Sequence, residues 1–460
     1  MASTTTNALL FLACLCLVAL FPPTLAQTPL QQPQQPLRVR GQQLQHECDI
    51  QQLTAAEPTR RVRAEAGVIE VWESNTEEFR CTGVAAVRYV IEPKGLLLPS
   101  YTNAPYVTYV MQGKGIQGVI LPGCPETFES PVRGGSEGSK GVERDQYQRV
   151  LRVHEGDVIG SLAGGVQWTY NDGDTPIVSI TLLDLSNPQN QLDLNFRSFY
   201  LAGNPQGQGG QEQGPKEVVG KNIFNGFDDE LLADAFNVDT ETIRSIKGEN
   251  DERGSIIRVE RDLELLSPEW DDMEEERMRR LNGLEQVLCT ISFKQNIDQP
   301  SRADVYTEHG GRINTLNSHK LPLLQHLQLS VERGVLYKNA MMTPHWNINA
   351  HSIIYITRGT GRIQVARENG LVFDGRVQEG QLLVVPQNFV VLKKAEQEGL
   401  EWVSFKTNDN AMISPLAGKL SAIRGMPEEV LMNSYGLSRD EVRRLKYGRE
   451  QLSLFSPRLD

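Results

Sequence analysis

The chain has 460 residues, a formal net charge of −12, 39% apolar side chains and 23% charged ones. That length allows two or three domains, and the composition is that of a folded chain with packed cores. The acidic balance argues against a nucleic-acid partner, because phosphate binding is built on clustered Lys and Arg.

The first segment reads as a targeting signal. Ala8 to Phe21 is an unbroken apolar run of 14 residues, short of the roughly 20 that a membrane span needs. Pro22 and Pro23 break it, and Thr24-Leu25-Ala26 places small residues before a cleavage point between Ala26 and Gln27. The segment ahead of the run carries no Lys or Arg, a departure from the usual pattern. No later apolar run approaches spanning length, so a soluble secreted protein with no membrane partner is expected. Gln27 to Gln45 is Gln/Pro-rich and reads as a disordered arm.

Cys14 and Cys16 leave with the signal, and Cys48, Cys81, Cys124 and Cys289 remain. Four cysteines in a secreted chain imply two disulfides, with three pairings open. They show no CxxC spacing and no clustering with His, so no zinc site is expected. The chain has 32 Gln, and 32 Arg against 14 Lys, a nitrogen-rich bias that suits a nitrogen store.

Pro125 to Gln146 is rich in Gly, Ser and charge and reads as a mobile loop; Gly203 to Pro215 is a Gly/Gln linker. Glu249 to Arg280, with Asp271-Asp272 and Glu274-Glu275-Glu276, reads for the most part as a solvated helix. The chain also repeats itself. Asn103-Ala104 to Gly113-Lys114-Gly115 matches Asn349-Ala350 to Gly359-Thr360-Gly361 at an offset of 246. Glu155-Gly156-Asp157 matches Glu379-Gly380-Gln381 at 224, and Phe236 to Lys247 matches Tyr435 to Lys446 at 199. The shared order makes two copies of one unit. The falling offset gives the first copy 22 and then 25 extra residues, placed where the loop and the Gly/Gln tract lie.

Each copy opens with strands and closes with helices. Arg362-Ile363-Gln364-Val365 alternates polar and apolar, Asn369-Gly370 turns, and Leu371-Val372-Phe373 returns, a hairpin. Gln381 to Val385 is the next strand, stopped by Pro386. In the second copy a helix over Glu428 to Tyr435 precedes Ser438-Arg439-Asp440-Glu441, a capping box that opens another. In the first copy Asp239 takes the cap position, with Ile243 and Ile246 on one face.

A barrel unit with a Gly turn and a later EGD-type turn resembles the cupin family, and two such units with helical arms resemble the two-barrel seed globulins. The likeness narrows at Arg280-Leu281-Asn282-Gly283-Leu284-Glu285-Gln286-Val287-Leu288-Cys289, which is similar to the processing junction of 11S (legumin-type) globulins. Pro344-His345-Trp346-Asn347-Ile348-Asn349-Ala350 and Tyr170-Asn171-Asp172-Gly173-Asp174 also resemble that family. The resemblance covers nearly the whole mature chain.

It implies a mostly β fold of two cupin (jelly-roll β-barrel) domains, each followed by a helical arm. The expected division is a signal peptide (1–26), a disordered arm (27–45), the first barrel and arm (46–248), a charged acidic linker ending at the processing site (249–282), and the second barrel and arm (283–460). It implies a seed storage protein, a non-enzymatic reservoir of nitrogen and amino acids with no cofactor. An asparaginyl endopeptidase would cut between Asn282 and Gly283, giving an acidic and a basic chain. Cys48 would pair with Cys81, and Cys124 with Cys289 across the cut. The proprotein would form a homotrimer and the cut protein a hexamer, delivered through the endoplasmic reticulum to the protein storage vacuole or protein body. Many family members are food allergens, so IgE is a candidate partner.

Asn-Gly is by itself a turn signal, and it occurs at Asn225, Asn282 and Asn369. Charge separates Asn282 from the others. Residues 27–282 carry 25 basic and 40 acidic side chains, a net of −15; residues 283–460 carry 21 and 18, a net of +3.

Metal-holding cupins use two His and a Glu near the Gly turn and a further His later, a set suited to iron or manganese. Counted back from Gly113, these positions fall at Pro99, Tyr101 and Tyr106, and from Gly156 the last falls at Gln167. In the second copy they fall at His345, Asn347, Ser352 and Val391. Only His345 is a metal-ligand type, and it is expected to be a packed, hydrogen-bonded histidine, as is His351. His309, His319 and His326 lack ligand spacing. No H-E-x-x-H or N-x-[ST] pattern is present. Two rival readings are a two-barrel oxidase or dioxygenase, which the missing ligands oppose, and a barrel that holds a sugar or another small ligand.

Overall fold

Where apolar and polar residues alternate, the chain forms strands that close into two barrels. The architecture comes from a computed structural model that describes residues 48, 50–73, 76–126, 128–129, 145–205, 221–261, 263 and 289–456. The first barrel is a sandwich of two sheets, the jelly-roll arrangement. One sheet runs in the order Lys294–Asn296, Asp157–Ser161, Tyr106–Gln112, Ile177–Asp184, Val84–Ile91, Gly67–Trp72, Arg60–Ala64. The other runs Val150–His154, Lys114–Ile120, Val166–Tyr170, Gly95–Thr102, Ser198–Tyr200.

In the second barrel the corresponding strands are long enough to pass from one sheet to the other. Ser352–Arg367 pairs with Val390–Lys406 along most of its length, with register shifts at Ile356/Arg358 and Gly359/Gly361. Gly359 there (φ 75°) and its repeat partner Gly113 (φ 88°) are both left-handed. A Cβ at Gly359 would lie 2.3 Å from Gly399 O, and one at Gly113 2.5 Å from Pro176 O. The repeated Gly turn is therefore a steric requirement of the fold.

The hairpin expected at Asn369-Gly370 forms, with Arg367 opposite Gly370 and a bulge between Val365 and Ala366. Leu382–Val385 is the following strand. The helical arms repeat at the predicted offset: Asp229–Phe236 and Thr240–Lys247 in the first copy, Glu428–Tyr435 and Arg439–Tyr447 in the second. Asp239 accepts from Thr242 N, and Ser438 with Glu441 forms the complete capping box.

The three largest apolar clusters among the described residues form the core of the molecule. One fills each barrel, and a third lies between the barrels. Strand alternation sorts residues among them. Val107 and Tyr109 face the other barrel while Tyr106 and Val110 face their own interior; Ile353 and Tyr355 face across while Ile354 and Ile356 face inward. Tyr109 and Tyr355, 246 residues apart, are repeat equivalents at this interface. Tyr109 also donates to Asp298 at 3.3 Å.

The division in chain order, 46–248 and 283–460, is crossed in both directions. Ala55–Ala56 pairs with Leu382–Leu383 of the second barrel, and Ile50 and Leu53 are buried in that barrel's core. Reciprocally, Lys294–Asn296 pairs with Asp157–Ile159 of the first barrel. In each barrel one sheet edge is thus covered by a strand from the other half. The reading of 249–280 as solvated helix is corrected at its start: Ile256–Arg258 is a strand on Gly95–Leu97, with Ile256 fully buried. Two adjacent isoleucines outweigh the surrounding charge. Of the loop 125–146, Phe128–Glu129 pairs with Gln146–Tyr147. The segments 1–26 and 27–45, most of the tract 203–215, residues 264–280 and the junction Asn282-Gly283 lie outside the described residues.

Candidate functional site

The barrel interiors are where a cupin metal or ligand would sit. In the first barrel the counted positions are corrected by the strand register. Gln167 lies opposite Ser100, so Ser100 and Thr102 share its face, while Pro99 and Tyr101 point the other way. Tyr101 instead stacks on Phe199, ring centroids 4.8 Å apart. The cause is a connection one residue shorter in the first copy: Asn103 to Pro105 between strands, against Ile348 to His351 in the second. A slip of one residue flips every side chain to the other face.

The inward set is therefore Ser100, Thr102, Tyr106 and Gln167, all neutral and none an imidazole. Burial pushes the Tyr106 phenol well above its ordinary value. Gln117 Nε2 donates to Gln167 Oε1 at 3.0 Å, and the hydroxyls of Thr108 and Thr181 are 2.7 Å apart. The cavity among these groups measures about 30 Å³. That holds one or two waters and is far below the roughly 300 Å³ at which small-molecule sites begin.

In the second barrel the counted positions do converge. His345 lies opposite Val391, and His345, Asn347 and Ser352 are fully buried. The ring Nδ1 of His345 lies 2.8 Å from Thr343 O, so it is the protonated nitrogen that donates. Burial, followed by the charge of Lys393, lowers its pKa to about 3. His345 is thus the packed, hydrogen-bonded histidine expected.

What the sequence reading missed is the company it keeps. Lys393, Lys406 and Glu332 are buried beside it. Lys406 Nζ donates to Asn347 Oδ1 at 3.0 Å and Ser352 Oγ at 2.9 Å, and lies 3.9 Å from Glu332 Oε2. Lys393 Nζ sits 4.6 Å from the centre of the Trp402 ring and 3.7 Å from Met342 Sδ, a cation–π contact. Trp402 Nε1 donates to Glu332 Oε1 at 3.2 Å. Burial alone would raise the Glu332 pKa, but Lys406, Lys393 and His345 overcome it and hold the carboxyl at about 2. Burial brings Lys393 down to about 8, opposed by Glu332. Two ammonium groups thus occupy the region where a cupin would place a cation. Among the described residues no group of three His, Cys, Asp or Glu side chains is arranged to hold a metal ion.

His351 lies in the connection at 348–351, where its Nδ1 accepts from Gln387 N at 3.1 Å. His309, His319 and His326 are exposed. Cys48 is joined to Cys81, Cα atoms 5.3 Å apart, and Cys124 to Cys289, 5.5 Å apart. No helix among the described residues is long and apolar enough to cross a membrane.

The chain matches the family model described as Cupin over residues 53–207 and 295–443, which makes it a two-domain cupin. It is 52% identical to a 13S globulin seed storage protein of Fagopyrum tataricum, over 90% of this chain and 88% of that one. It is 48% identical to 11S globulin seed storage protein 1 of Carya illinoinensis, over 97% and 95%. The crystal structure of the coconut allergen cocosin superposes with a TM-score of 0.78 at 49% identity, covering 89% of this chain and all of that one. The chain belongs to the 11S (legumin-type) seed storage globulins. It is a non-enzymatic storage protein.

Proposed function

We propose that this storage globulin is made as a precursor, loses residues 1–26 in the secretory route, and is cut after Asn282 by an asparaginyl endopeptidase in the protein storage vacuole. The cut yields an acidic chain, 27–282, and a basic chain, 283–460, tied by Cys124–Cys289. The observation that carries this reading is the reciprocal strand exchange. With it, neither barrel depends on a continuous backbone through 264–288. The other two Asn-Gly bonds are less suited to a protease. Asn225 sits in the 3₁₀ turn Ile223–Gly226, and Gly370 is paired across its hairpin.

The partner is further copies of the chain: a trimer before the cut and a hexamer after it. Each arm presents apolar side chains to solvent: Phe227, Leu231 and Phe236 on the first, Val430, Tyr435 and Leu445 on the second. A first arm docking on the unlike arm of a neighbour makes a head-to-tail contact of the kind that closes into a ring. Because the coconut relative is described as an allergen, IgE is a further partner in this reading.

Expression of Asn282→Gln beside wild type in a host with the protease tests it. The variant is expected to remain one chain on a reducing gel and to elute as a trimer, while the wild type is cut and elutes as a hexamer. A variant that is still cut there, or that forms hexamers uncut, overturns the reading.

A further inference from the structure

The two copies differ on one surface, the outer face of the sheet that contains Lys114–Ile120 in the first barrel. There that face is apolar. Ile116, Val150 and Tyr170 are buried on it, with Leu96, Tyr147 and Trp168 packed around them. A Cβ on Gly118 would stand 2.2 Å from the Trp168 ring, so only glycine lets the indole rest on the sheet. At the repeat offsets of 246 and 224, the second barrel has Arg362 for Ile116, Gln364 for Gly118, Asp374 for Val150 and Lys394 for Tyr170. Arg362 and Gln364 both donate to Asp374, at 2.6 to 3.0 Å, and this face meets water. An antiparallel sheet with a polar outer face can stay bare, whereas one with an apolar outer face is built to be covered.

The cover begins within the described chain. After the strand Ile256–Arg258, Val259 N donates to Lys94 O, and Val259 and Leu263 pack onto the apolar cluster. The cover is incomplete. Ile120, on the same row as Ile116 and Gly118, is 41% exposed, and Trp168 is half-buried. The described chain resumes at Cys289, whose carbonyl accepts from Arg149, the neighbour of Val150, at 2.9 Å. The segment 264–288 thus leaves and returns beside one sheet. The apolar residues that follow Leu263 are Leu265, Leu266 and Trp270, and charge takes over from Asp271.

We propose that residues 264–270 dock on this face of their own barrel, with Leu265, Leu266 and Trp270 covering Trp168 and Ile120. A second copy of the chain is the rival occupant. A few half-exposed side chains fall far short of the roughly 800 Å² per partner of a stable interface. A segment tethered at Leu263 docks instead from an effective concentration in the millimolar range. The docked segment would fix where the span from Asp271 to Asn282 starts, beside the sheet to which Cys289 returns. That consequence rests on the processing reading above. The docking does not, because 264–270 precedes the cut.

Hydrogen–deuterium exchange of the full-length mature protein, read on peptides that cover 264–270, tests it. These amides are expected to exchange at least about tenfold slower than in the same peptide free in solution, and equally in wild type and in Asn282→Gln. Ile120→Asp places a charge at an exposed position of the face, and Leu265→Asp with Leu266→Asp removes the apolar contacts of the segment. Each variant is expected to return these amides towards the free-peptide rate, while peptides from Tyr106–Gln112 stay protected and show the barrel intact. Exchange at the free-peptide rate in wild type, or protection that survives both variants, would overturn the proposal. Protection in the hexamer that is absent from the trimer would also overturn it and assign the face to a second copy.

Discussion

The indole of Trp72 meets the ring of Tyr355 edge to face, with centroids 5.9 Å apart and planes at 88°. One ring belongs to the first barrel and the other to the second. Trp72 Nε1 also donates to Ala56 O at 3.0 Å, fixing the strand that the first half lends to the second barrel. One side chain thus serves both the interface core and the strand exchange. Trp72→Ala is expected to cost about 3–5 kcal/mol. Calorimetry is expected to show one transition moved down as a whole, because the barrels share a core. Two separate transitions, only one of them shifted, would mean that the barrels melt independently.

The Cys48–Cys81 bridge pins the segment that carries Ile50 and Leu53 into the second barrel. Cys48→Ser is expected to free one thiol, at Cys81, and to lower stability by about 2–5 kcal/mol. Peptide mapping of the wild type checks the pairing. Cys48 found joined to Cys289 would show it to be wrong.

The exchanged strands make a second claim about the processed protein. If the two chains are held by Lys294–Asn296 on one barrel and Ala55–Ala56 on the other, reduction of Cys124–Cys289 under native conditions is expected to leave them co-eluting from a sizing column. They separate only when denaturant is added. Release of the basic chain by reductant alone would mean that the disulfide carries the association.

Acid is expected to weaken the second barrel through His345. Its folded pKa, about 3, lies below an unfolded value near 6.5. The folded state therefore binds fewer protons in this window, and its stabilisation, complete above about pH 6.5, is lost as pH falls towards 3. Glu332, held at about 2, adds a loss that begins near its ordinary value of about 4.3. The His345 contribution has a limiting slope of about 1.4 kcal/mol per pH unit. His345→Gln is expected to melt lower at pH 7 but to show a shallower fall between pH 6 and 4 in calorimetry. An unchanged slope would assign the acid loss to other groups.

The same cluster predicts metal content. With Lys393 and Lys406 buried beside His345, the dialysed protein is expected to hold far less than one transition metal per chain by elemental analysis. Stoichiometric iron, manganese or copper would show that the ammonium groups do not exclude a cation.

Much of this was legible in the sequence because it is local. The caps at Asp239 and Ser438, the hairpin at Asn369-Gly370 and the repeat offset of 199 all rest on signals within a few residues. The exchanged strand Ala55–Ala56 has two residues, too few to show a period, and its partner is set by which sheet edge needs cover. The inward pair Ser100 and Thr102 was displaced by a one-residue difference in a connection, which only register reveals. Lys393 was visible: Val391, Lys393 and Ala395 alternate on one face, and all three are buried. A lysine reads as solvated because it is almost never buried unless paired; of its partners, Trp402 lies further along the same long strand, Val390–Lys406, and Glu332 lies on the neighbouring strand Ser330–Leu336.

The most direct test of the account is the intact mass of the mature protein with and without reductant. Reduced, it is expected to give two species, residues 27–282 and 283–460, of 256 and 178 residues. Without reductant it is expected to give one species of their summed mass, less two hydrogen atoms for each disulfide. A single reduced chain spanning 27–460, or two chains that separate without reductant, would contradict it.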